Sequence, residues 1–224
     1  MLEVSDLDIF YGRIQALWGV SLNIDEAEIV ALVGANGAGK TSMLRTISGL
    51  LRPKSGRILY KPDGDGDAID ISRISAERIV ALGISHCPEG RGIFSQLSVR
   101  ENLVIGAYLR KNKQAIERDY RRICGIFPIL GERAGQTAGS LSGGEQERVA
   151  ISRAIVNRPP ILLADEPTGN LDEVSADIIL ELLKRFHTRG ATVIIATHDK
   201  ELIRKTGGRI IHLNQGYLQK TIHM

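Results

Sequence analysis

Hydrophobic positions along the chain follow two periodicities. Residues 2–10 alternate with a period of two, which is typical of a half-buried strand, and residues 29–33 form a continuous apolar run followed by glycine. Strands are predicted at 2–10, 21–24, 29–33, 57–60, 84–87, 161–164, 192–196, 209–213 and 217–220, and helices at 41–51, 75–82, 100–110, 114–130, 144–157, 175–189 and 200–205. Strands that alternate with helices indicate an α/β protein with a largely parallel sheet.

Residues 90–140 interrupt this alternation with helical patterns and little strand signal. We therefore predict a single domain over residues 1–224, with a core at 1–89 and 141–224 and a helical subdomain at 90–140. Residues 100–122 hold seven Lys or Arg and three Asp or Glu, a local charge of +4. This charge is typical of a solvated helix face. A dock for an acidic segment or for anionic lipid headgroups, using Arg121 and Arg122, is the alternative.

Composition narrows the possible classes of function. Hydrophobic residues make up 43% of the 224 and charged residues 25%, as in ordinary globular proteins. The net charge of +3 and the 4% aromatic content argue against a nucleic-acid partner. No apolar run approaches the ~20 residues of a membrane-spanning helix, and no secretory signal is recognised. Because Cys87 and Cys124 are the only cysteines, we expect free thiols in a cytoplasmic protein.

A glycine-rich loop follows the apolar run at 29–33 and matches the pattern G-x-x-x-x-G-K-[ST]. It consists of Gly34, Ala35, Asn36, Gly37, Ala38, Gly39, Lys40 and Thr41. Glycines let the backbone wrap a phosphate with its N–H groups pointing inward, and the following helix adds its positive end. Lys40 is predicted to reach the β- and γ-phosphates of a nucleotide, and the Thr41 hydroxyl to bind Mg²⁺.

Two carboxylates follow the apolar strand predicted at 161–164. Open α/β sheets bind ligands at the carboxyl ends of their strands, so Asp165 and Glu166 are placed beside the phosphate loop. Asp165 is predicted to hold Mg²⁺ and Glu166 to activate the attacking water.

A second glycine-containing segment opens the helix predicted at 144–157. Ser142 and Glu145 have the spacing of a capping box, and the capped helix start with Gly143 and Gly144 is a further anion site. Its spacing permits Ser142 to serve the phosphate loop of its own chain.

The three segments together resemble the ATP-binding subunit of an ABC transporter, and the resemblance covers nearly the whole chain. The hexapeptide Leu-Ser-Gly-Gly-Glu-Gln at 141–146 carries most of it. The resemblance implies a P-loop NTPase core with a mostly parallel sheet, an N-terminal antiparallel β portion and an inserted helical subdomain. It also implies that the chain binds ATP and Mg²⁺, pairs with a second ABC ATPase subunit, and serves integral membrane transporter subunits.

Further site residues follow from the same resemblance. Tyr11 matches the aromatic residue that stacks on adenine, Ser42 extends the phosphate loop, and His198 matches the histidine that senses the γ-phosphate. Residues 170–172, Asn-Leu-Asp, match a loop that contacts the other subunit, through Asp172. The resemblance places Ser142, Gly143 and Gly144 on the γ-phosphate of the opposite subunit.

One position departs from the general family pattern. Glu89 stands where a glutamine near Mg²⁺ or the water is usual, and Glu89 cannot donate a hydrogen bond. The segment Pro-Glu-Gly-Arg at 88–91, with Phe94 and Glu-Asn-Leu at 101–103, resembles ATPases of branched-chain amino-acid importers. Residues 147–154, 164–172 and 196–199 instead resemble cell-division, lipoprotein-release and macrolide-export ATPases. The chain is therefore similar to two branches in its two halves, as a divergent natural member or a chimera.

These observations predict an ATP-hydrolysing subunit, peripheral at the inner face of the cell membrane, most similar in its docking region to amino-acid importers. The alternative is a cell-division, lipoprotein-release or macrolide-export type. A soluble ABC ATPase of DNA repair or translation would need long insertions or two cassettes. A small-molecule kinase would need no hexapeptide of this kind.

Overall fold

The computed structural model describes residues 1–62, 67–90, 92–169 and 171–222. Arg91 and Asn170, which belong to segments named above, lie outside the described residues. In the described part, the strands are β1 Leu2–Tyr11, β2 Ile14–Ile24, β3 Ile29–Val33, β4 Ser55–Tyr60, β5 Ile69–Asp70, β6 Ile84–Cys87, β7 Ile161–Asp165, β8 Thr192–Thr197, β9 Arg209–Asn214 and β10 Tyr217–Ile222. The helices are α1 Lys40–Ile47, α2 Ala76–Ala81, α3 Val99–Ile105, α4 Lys113–Ile126, α5 Pro128–Glu132, α6 Gly143–Ile155, α7 Glu173–His187 and α8 Lys200–Thr206.

Two sheets organise these elements. The larger has the order β10-β9-β3-β8-β7-β6, and all its neighbouring strands are parallel except β9 and β10. The smaller, with the order β2-β1-β4-β5, is antiparallel throughout. The predicted α/β class, with a mostly parallel sheet and an N-terminal antiparallel portion, is confirmed.

The core explains why the central strands read as continuous apolar runs. Every residue of β3, β7 and β8 is buried, because helices or the small sheet cover both faces of the large sheet. One apolar cluster joins the small sheet and α1 to β3 and β7, and another joins α3, α4, α6 and α7 to the other face. No helix in the described residues has the length and apolar character needed to cross a bilayer.

Between β6 and α6 the described residues form α3, α4, α5 and a short 3-10 turn, and α3 packs on α6. Asn102 of α3 is fully buried and acts as a brace. Its amide donates to the carbonyls of Phe94 and Ser98 at 2.9 and 3.0 Å and accepts from the Phe94 N–H at 2.8 Å. The loop that carries Phe94 is thereby fixed to α3.

The elements differ from the predicted bounds where glycine or proline intervenes. Strand β2 begins at Ile14 rather than at residue 21, and Gly19, with φ +52°, interrupts the alternation that would have revealed it. The helix predicted at 100–110 ends before Gly106, and the one predicted at 114–130 divides at Pro128. The short strand β5, at Ile69–Asp70, was missed.

The basic stretch is largely paired within the chain. Arg100 and Arg121 both bind Glu117, at 2.6 and 3.1 Å. Arg122 is only 20% exposed and donates to the Ile155 and Val156 carbonyls, so its placement on an open docking face is wrong. Its guanidinium instead attaches α4 to the end of α6.

Candidate functional site

A cavity of about 650 Å³ lies at the carboxyl ends of β3, β7 and β8. Parallel pairing brings the ends of these strands to one edge, with Val33 opposite Thr197 and Asp165 opposite Ala196. The cavity is lined by Tyr11, Ile14, Gln15, Ala16, Asn36, Gly37, Ala38, Gly39, Lys40, Thr41, Ser42, Glu89, Glu166, Gly169 and His198. Nearly all of the predicted phosphate loop and three predicted catalytic side chains therefore meet in one cavity.

The phosphate loop is fixed from outside by two close approaches. A Cβ on Gly34 would lie 2.4 Å from the Leu213 carbonyl oxygen of β9. Gly39 adopts φ +104°, and a Cβ there would meet the Leu17 side chain at 2.4 Å. Only glycine fits either position without moving β9 or β2. The loop shape is therefore set by its neighbours before a ligand arrives.

Lys40 points along the inside of the loop. Its Nζ donates to the Gly34 carbonyl at 2.8 Å and to the Ala35 carbonyl at 3.4 Å, and lies 3.3 Å from Glu166 Oε1. Lys40 is 5% exposed, so its charge sits in a low-dielectric cradle. A phosphate in the loop would meet a cation that is already desolvated and oriented.

Glu166 occupies a strained and crowded position. Its φ is +47°, an uncommon conformation for a residue with a side chain. Thr197 Oγ1 donates to Oε2 at 3.1 Å, and His198 Nδ1 lies 2.9 Å from Oε1. The carboxylate is therefore held by groups from the end of β8 and by Lys40, with its side chain 10% exposed.

Asp165 lies one residue earlier, where β7 ends. Thr41 Oγ1 donates to its Oδ1 at 3.2 Å, whereas its Oδ2 is buried with no hydrogen-bond partner in the described residues. Burial, with the charges of Glu89 and Glu166, raises the pKa of Asp165 to about 6 despite the Thr41 hydrogen bond. A buried, unpaired carboxylate oxygen beside a hydroxyl fits a hard cation such as Mg²⁺.

The described residues contain no cluster of three or more His, Cys, Asp or Glu that could hold a metal by itself. Thr41 and Asp165 together offer two oxygen ligands, and nucleotide phosphates supply further oxygens in sites of this kind. Glu89 lines the same cavity and is exposed, as the sequence placed it.

Tyr11 closes the cavity on the side of the small sheet. Its ring is 42% exposed, and its hydroxyl accepts a hydrogen bond from Ser42 Oγ at 3.3 Å. An exposed aromatic ring tied to the phosphate-loop helix suits stacking on a nucleobase. Ile14, Gln15 and Ala16 line the cavity beside it, a contribution that the sequence motifs did not indicate.

The second predicted anion site is formed but lies apart. Ser142 caps α6 with a complete capping box to Glu145, and a Cβ on Gly144 would meet Ser175 Oγ at 2.8 Å. Asp172 caps α7 by accepting from the Ser175 N–H at 2.9 Å, and this hydrogen bond lowers its pKa. The residues lining the described cavity do not include Ser142, Gly143, Gly144 or Asp172.

The β9–β10 hairpin supports the phosphate loop, a contact that the sequence did not indicate. The β9–β10 turn places Gly216 so that its N–H donates to the Ala38 carbonyl at 3.1 Å, while the Trp18 N–H donates to the Gly216 carbonyl at 3.0 Å. A Cβ at Gly216 would lie 2.6 Å from the Ala16 carbonyl oxygen. The strands predicted at 209–213 and 217–220 form this hairpin, but nothing in the local sequence indicated that it touches the phosphate loop.

Comparison with known proteins agrees with this architecture. A family model described as ABC transporter matches residues 17–169. The chain is 36% identical over 217 residues to the branched-chain amino acid transport ATP-binding protein BraG of Pseudomonas aeruginosa, covering 96% of this chain and 90% of BraG. It is 37% identical over 221 residues to the lipoprotein-releasing system ATP-binding protein LolD of Syntrophotalea carbinolica, covering 96% of each.

A solved structure extends the likeness to three dimensions. The dimeric ATP-binding cassette MJ0796, in a post-hydrolysis state bound to ADP and Pi, is 29% identical. It superposes with a TM-score of 0.87 over 100% of this chain and 98% of that one. From the family match, the near-complete coverage of these relatives and the cavity geometry, the chain belongs to the ABC transporter family, as an ATP-binding cassette that hydrolyses ATP.

Proposed function

We propose that Glu166 is the general base for ATP hydrolysis. The observation that supports this assignment is the position of its carboxylate. It lies at the end of β7, inside the phosphate-loop cavity, held by Lys40, Thr197 and His198. A water between this carboxylate and the γ-phosphate loses its proton to Glu166 as its oxygen attacks phosphorus. The bond from the γ-phosphorus to the bridging oxygen breaks, and ADP leaves with that oxygen.

Lys40 and His198 have separate tasks in this scheme. Lys40 supplies a fixed positive charge to the phosphates and leaves Glu166 when they bind. His198 keeps its hydrogen bond to Glu166 Oε1 and orients the carboxylate toward the water. Its exposed side chain, 54% accessible, also faces the region that the γ-phosphate would occupy.

Mg²⁺ would be held by the Thr41 hydroxyl and Asp165, where the buried Oδ2 has no other partner in the described residues. When bound, it supplies charge neutralisation at the β- and γ-phosphate oxygens. Glu89 accepts hydrogen bonds only, so it would bind a water of this site through its carboxylate and add negative charge beside it.

The site is completed by a second copy or a related subunit. Ser142, Gly143, Gly144 and Asp172 lie outside the described cavity, although the capped start of α6 is suited to an anion. The dimeric state of the MJ0796 cassette supports pairing of two subunits here. In a dimer of this chain, the α6 start of one subunit would cover the nucleotide of the other.

A mixing experiment tests this arrangement. Lys40→Ala and Ser142→Ala should each remove ATPase activity when purified alone, because each lacks one residue that the site needs. If Ser142 acts on the opposite subunit, a mixed dimer holds one site with both residues intact, so mixing should restore activity above the sum of the separate preparations. If Ser142 serves its own phosphate loop, no site is intact and mixing restores nothing. Mixing two preparations of Lys40→Ala is the control.

A separate groove suits docking of membrane subunits. It has a volume of about 680 Å³ and lies between the large sheet, α2 and α3. Its lining includes the exposed side chains of Leu50, Phe94 and Tyr108, which are 61%, 49% and 57% accessible. An apolar, exposed groove of this size is typical of a protein interface. We infer that a helical segment of the membrane partner occupies it, with the subunit peripheral at the inner face of the membrane.

The part of the sequence from which the groove residues come favours a branched-chain amino-acid importer as the membrane partner. All but Arg153 and Ala154 come from the half of the sequence that resembles those importers. Partner choice should follow the surface that is touched, and the likeness to BraG over 96% of the chain supports this class. A lipoprotein-release, cell-division or macrolide-export partner is the second candidate, favoured by the equally extensive likeness to LolD.

A further inference from the structure

A further concave site, apart from the phosphate-loop cavity (the nucleotide cavity) and the docking groove, lies at the amino ends of β7 and β8. Its volume is about 480 Å³. We call it the arginine pocket, and it is lined by Arg122, Arg158, Pro159, Pro160, Phe186, Arg189, Gly190 and Ala191. Most of its lining residues come just before β7 and β8 in the chain, which begin at residues 161 and 192. Asp165 and His198 lie at or beyond the other ends of these strands.

The arginines of this pocket outnumber the carboxylates that pair with them. Three arginines line it, and no Asp or Glu is among its lining residues. One carboxylate lies behind the wall: Asp119 binds Arg158 at 3.0 Å and Arg122 at 3.4 Å. Arg110 occupies the other oxygen of Asp119 at 2.8 Å. Asp119 is therefore shared among three guanidinium groups.

Arg189 adds a further charge without any acidic partner in the described residues. It is exposed and stands just before Gly190, at the turn into β8. Burial of Arg122, together with the charges of Arg158 and Arg189, lowers the pKa of Arg122. Since all three arginines line the pocket, an anion held there would offset the repulsion that Arg158 and Arg189 exert on the Arg122 charge.

The shape of the pocket limits which anion fits. A volume of about 480 Å³ is that of a small-molecule site rather than of a single ion. Phe186, Pro159, Pro160 and Ala191 give it an apolar wall beside the arginines. Guanidinium groups present paired N–H donors that match phosphate oxygens. The combination suits a ligand with a phosphate group and a compact organic part.

We propose that the arginine pocket binds a small organic phosphate. Arg158 and Arg189 bind the phosphate group, and the organic part of the ligand lies against Phe186 and Pro160. The bound ligand would link the end of α6 to the end of α7, the helices that begin near Ser142 and Asp172. This proposal is independent of how ATP is hydrolysed, and the two can fail separately.

The test uses ribose 5-phosphate as the probe, in the Lys40→Ala background so that the phosphate loop contributes little. Calorimetric titration should give saturable binding at one site, weakened at least ~10-fold by Arg189→Gln, the usual scale for one lost charge-assisted contact. Arg189 has no acidic partner in the described residues, so this variant should fold normally. Arg158→Gln should weaken binding as well.

Arg121→Gln is the matched control, because it removes an exposed guanidinium from α4 outside the pocket. It should leave the affinity for ribose 5-phosphate unchanged. Equal weakening by Arg121→Gln and Arg189→Gln, or binding that does not saturate, would overturn the proposal.

Two further probes separate the sources of the phosphate. Ribose without phosphate should not bind, and inorganic phosphate should bind more weakly than ribose 5-phosphate because it cannot use the apolar wall. Arg189-dependent binding to phosphatidylglycerol vesicles with none to ribose 5-phosphate would make the pocket a lipid-headgroup site and overturn the small-molecule assignment. Thermal unfolding of every variant without ligand verifies that each is folded.

Discussion

Lys40 Nζ lies 3.3 Å from Glu166 Oε1, so the two residues to which we assign phosphate binding and water activation are paired with each other. Both side chains are almost fully buried, 6% and 10% exposed. Each buried charge is the partner of the other, which avoids the cost of an isolated buried charge. Phosphate binding would take over Lys40 and free one side of Glu166 for water. On our assignment, the pair would therefore couple ATP binding to exposure of the Glu166 carboxylate.

Lys40→Ala should weaken ATP binding by ~10² or more, since a charged contact to the phosphates is lost inside a desolvated loop. Equilibrium titration with a fluorescent ATP analogue measures this. Lys61→Ala, which removes an exposed lysine just after β4, should bind ATP like the parent. Equal affinity in the parent and Lys40→Ala would remove the basis for assigning the loop to phosphate.

Glu166→Gln should retain ATP binding but slow hydrolysis by ~10²–10⁴, the range for loss of a general base. Glutamine keeps an oxygen for the Thr197 hydroxyl, so the side chain should keep its position. Nucleotide should then accumulate uncleaved and hold two subunits together, which light scattering with MgATP detects. Glu173→Gln, at the exposed start of α7, is the control and should hydrolyse normally. A purely monomeric Glu166→Gln protein would contradict the two-subunit site.

Local sequence was sufficient for the parts of the site that are continuous in the chain. The phosphate loop needs Gly34 and Gly39 for reasons of backbone geometry, and the acidic strand end follows from β7 pointing at the same edge as β3. These features were predictable because a short stretch of sequence contains the phosphate-loop motif, and because ligands bind at the carboxyl ends of strands in sheets of this kind.

Long-range supports could not be predicted in the same way. The Gly216 N–H reaches the Ala38 carbonyl although the two residues lie far apart in the chain, and Gly19 conceals the start of β2 by breaking its alternation. Arg122 has a sequence environment like that of Arg121, yet it is largely buried against the end of α6. Which arginine faces solvent depends on how α4 packs, and the number of charges in the sequence does not indicate that packing.

Asn102→Ala should destabilise the protein by ~2–4 kcal/mol, because it leaves the N–H and carbonyl of Phe94 without their buried partner. Urea unfolding followed by circular dichroism gives the free energy of unfolding. Asn112→Ala removes an asparagine whose side chain caps α4, and it should cost only ~1 kcal/mol. A cost for Asn102→Ala no greater than that of Asn112→Ala would show that the Phe94 loop does not depend on this brace.

His86 should make the protein less stable as the pH falls from about 6.5 to about 4. Burial, with the nearby charge of Arg45, lowers the pKa of His86 to about 4, while an unfolded histidine titrates near 6.5. The unfolded chain therefore takes up the proton first, so this contribution to stability is present above the unfolded pKa and is lost as the pH falls through the folded one. The loss amounts to ~3 kcal/mol.

The free energy of unfolding at pH 7, 5.5 and 4.5 tests this for the parent and for His86→Gln. Glutamine preserves a polar group opposite Ser48 but does not titrate, so the variant should lose less stability over the interval. His187→Gln is the control, because His187 has no buried nitrogen without a hydrogen-bond partner among the described residues. The stability of this variant should change with pH as that of the parent does. Parallel curves for the parent and His86→Gln would contradict the prediction.

Docking to the membrane partner should depend on the groove between α2 and α3 and not on the nucleotide site. Phe94→Ala and Tyr108→Ala each remove an exposed aromatic side chain from the groove lining. Neither residue lines the nucleotide cavity, so ATPase activity without a partner should stay at the parental rate. Activity stimulated by membrane subunits should fall ~10-fold or more, as expected for an aromatic anchor at an interface.

Partner class is tested with the same variants and one control. Tyr217→Ala removes an aromatic residue of similar exposure from β10, outside the groove, and should leave coupling unchanged. Reconstitution with membrane subunits of a branched-chain amino-acid importer and of a lipoprotein-release system compares the two candidates directly. We expect stimulation by the importer subunits that Phe94→Ala abolishes, because the groove comes almost entirely from the importer-like half of the chain. Stimulation only by the lipoprotein-release subunits would assign the chain to the second class. The choice of partner would then be determined by α6, which contributes Arg153 and Ala154 to the groove, and not by the residues before it.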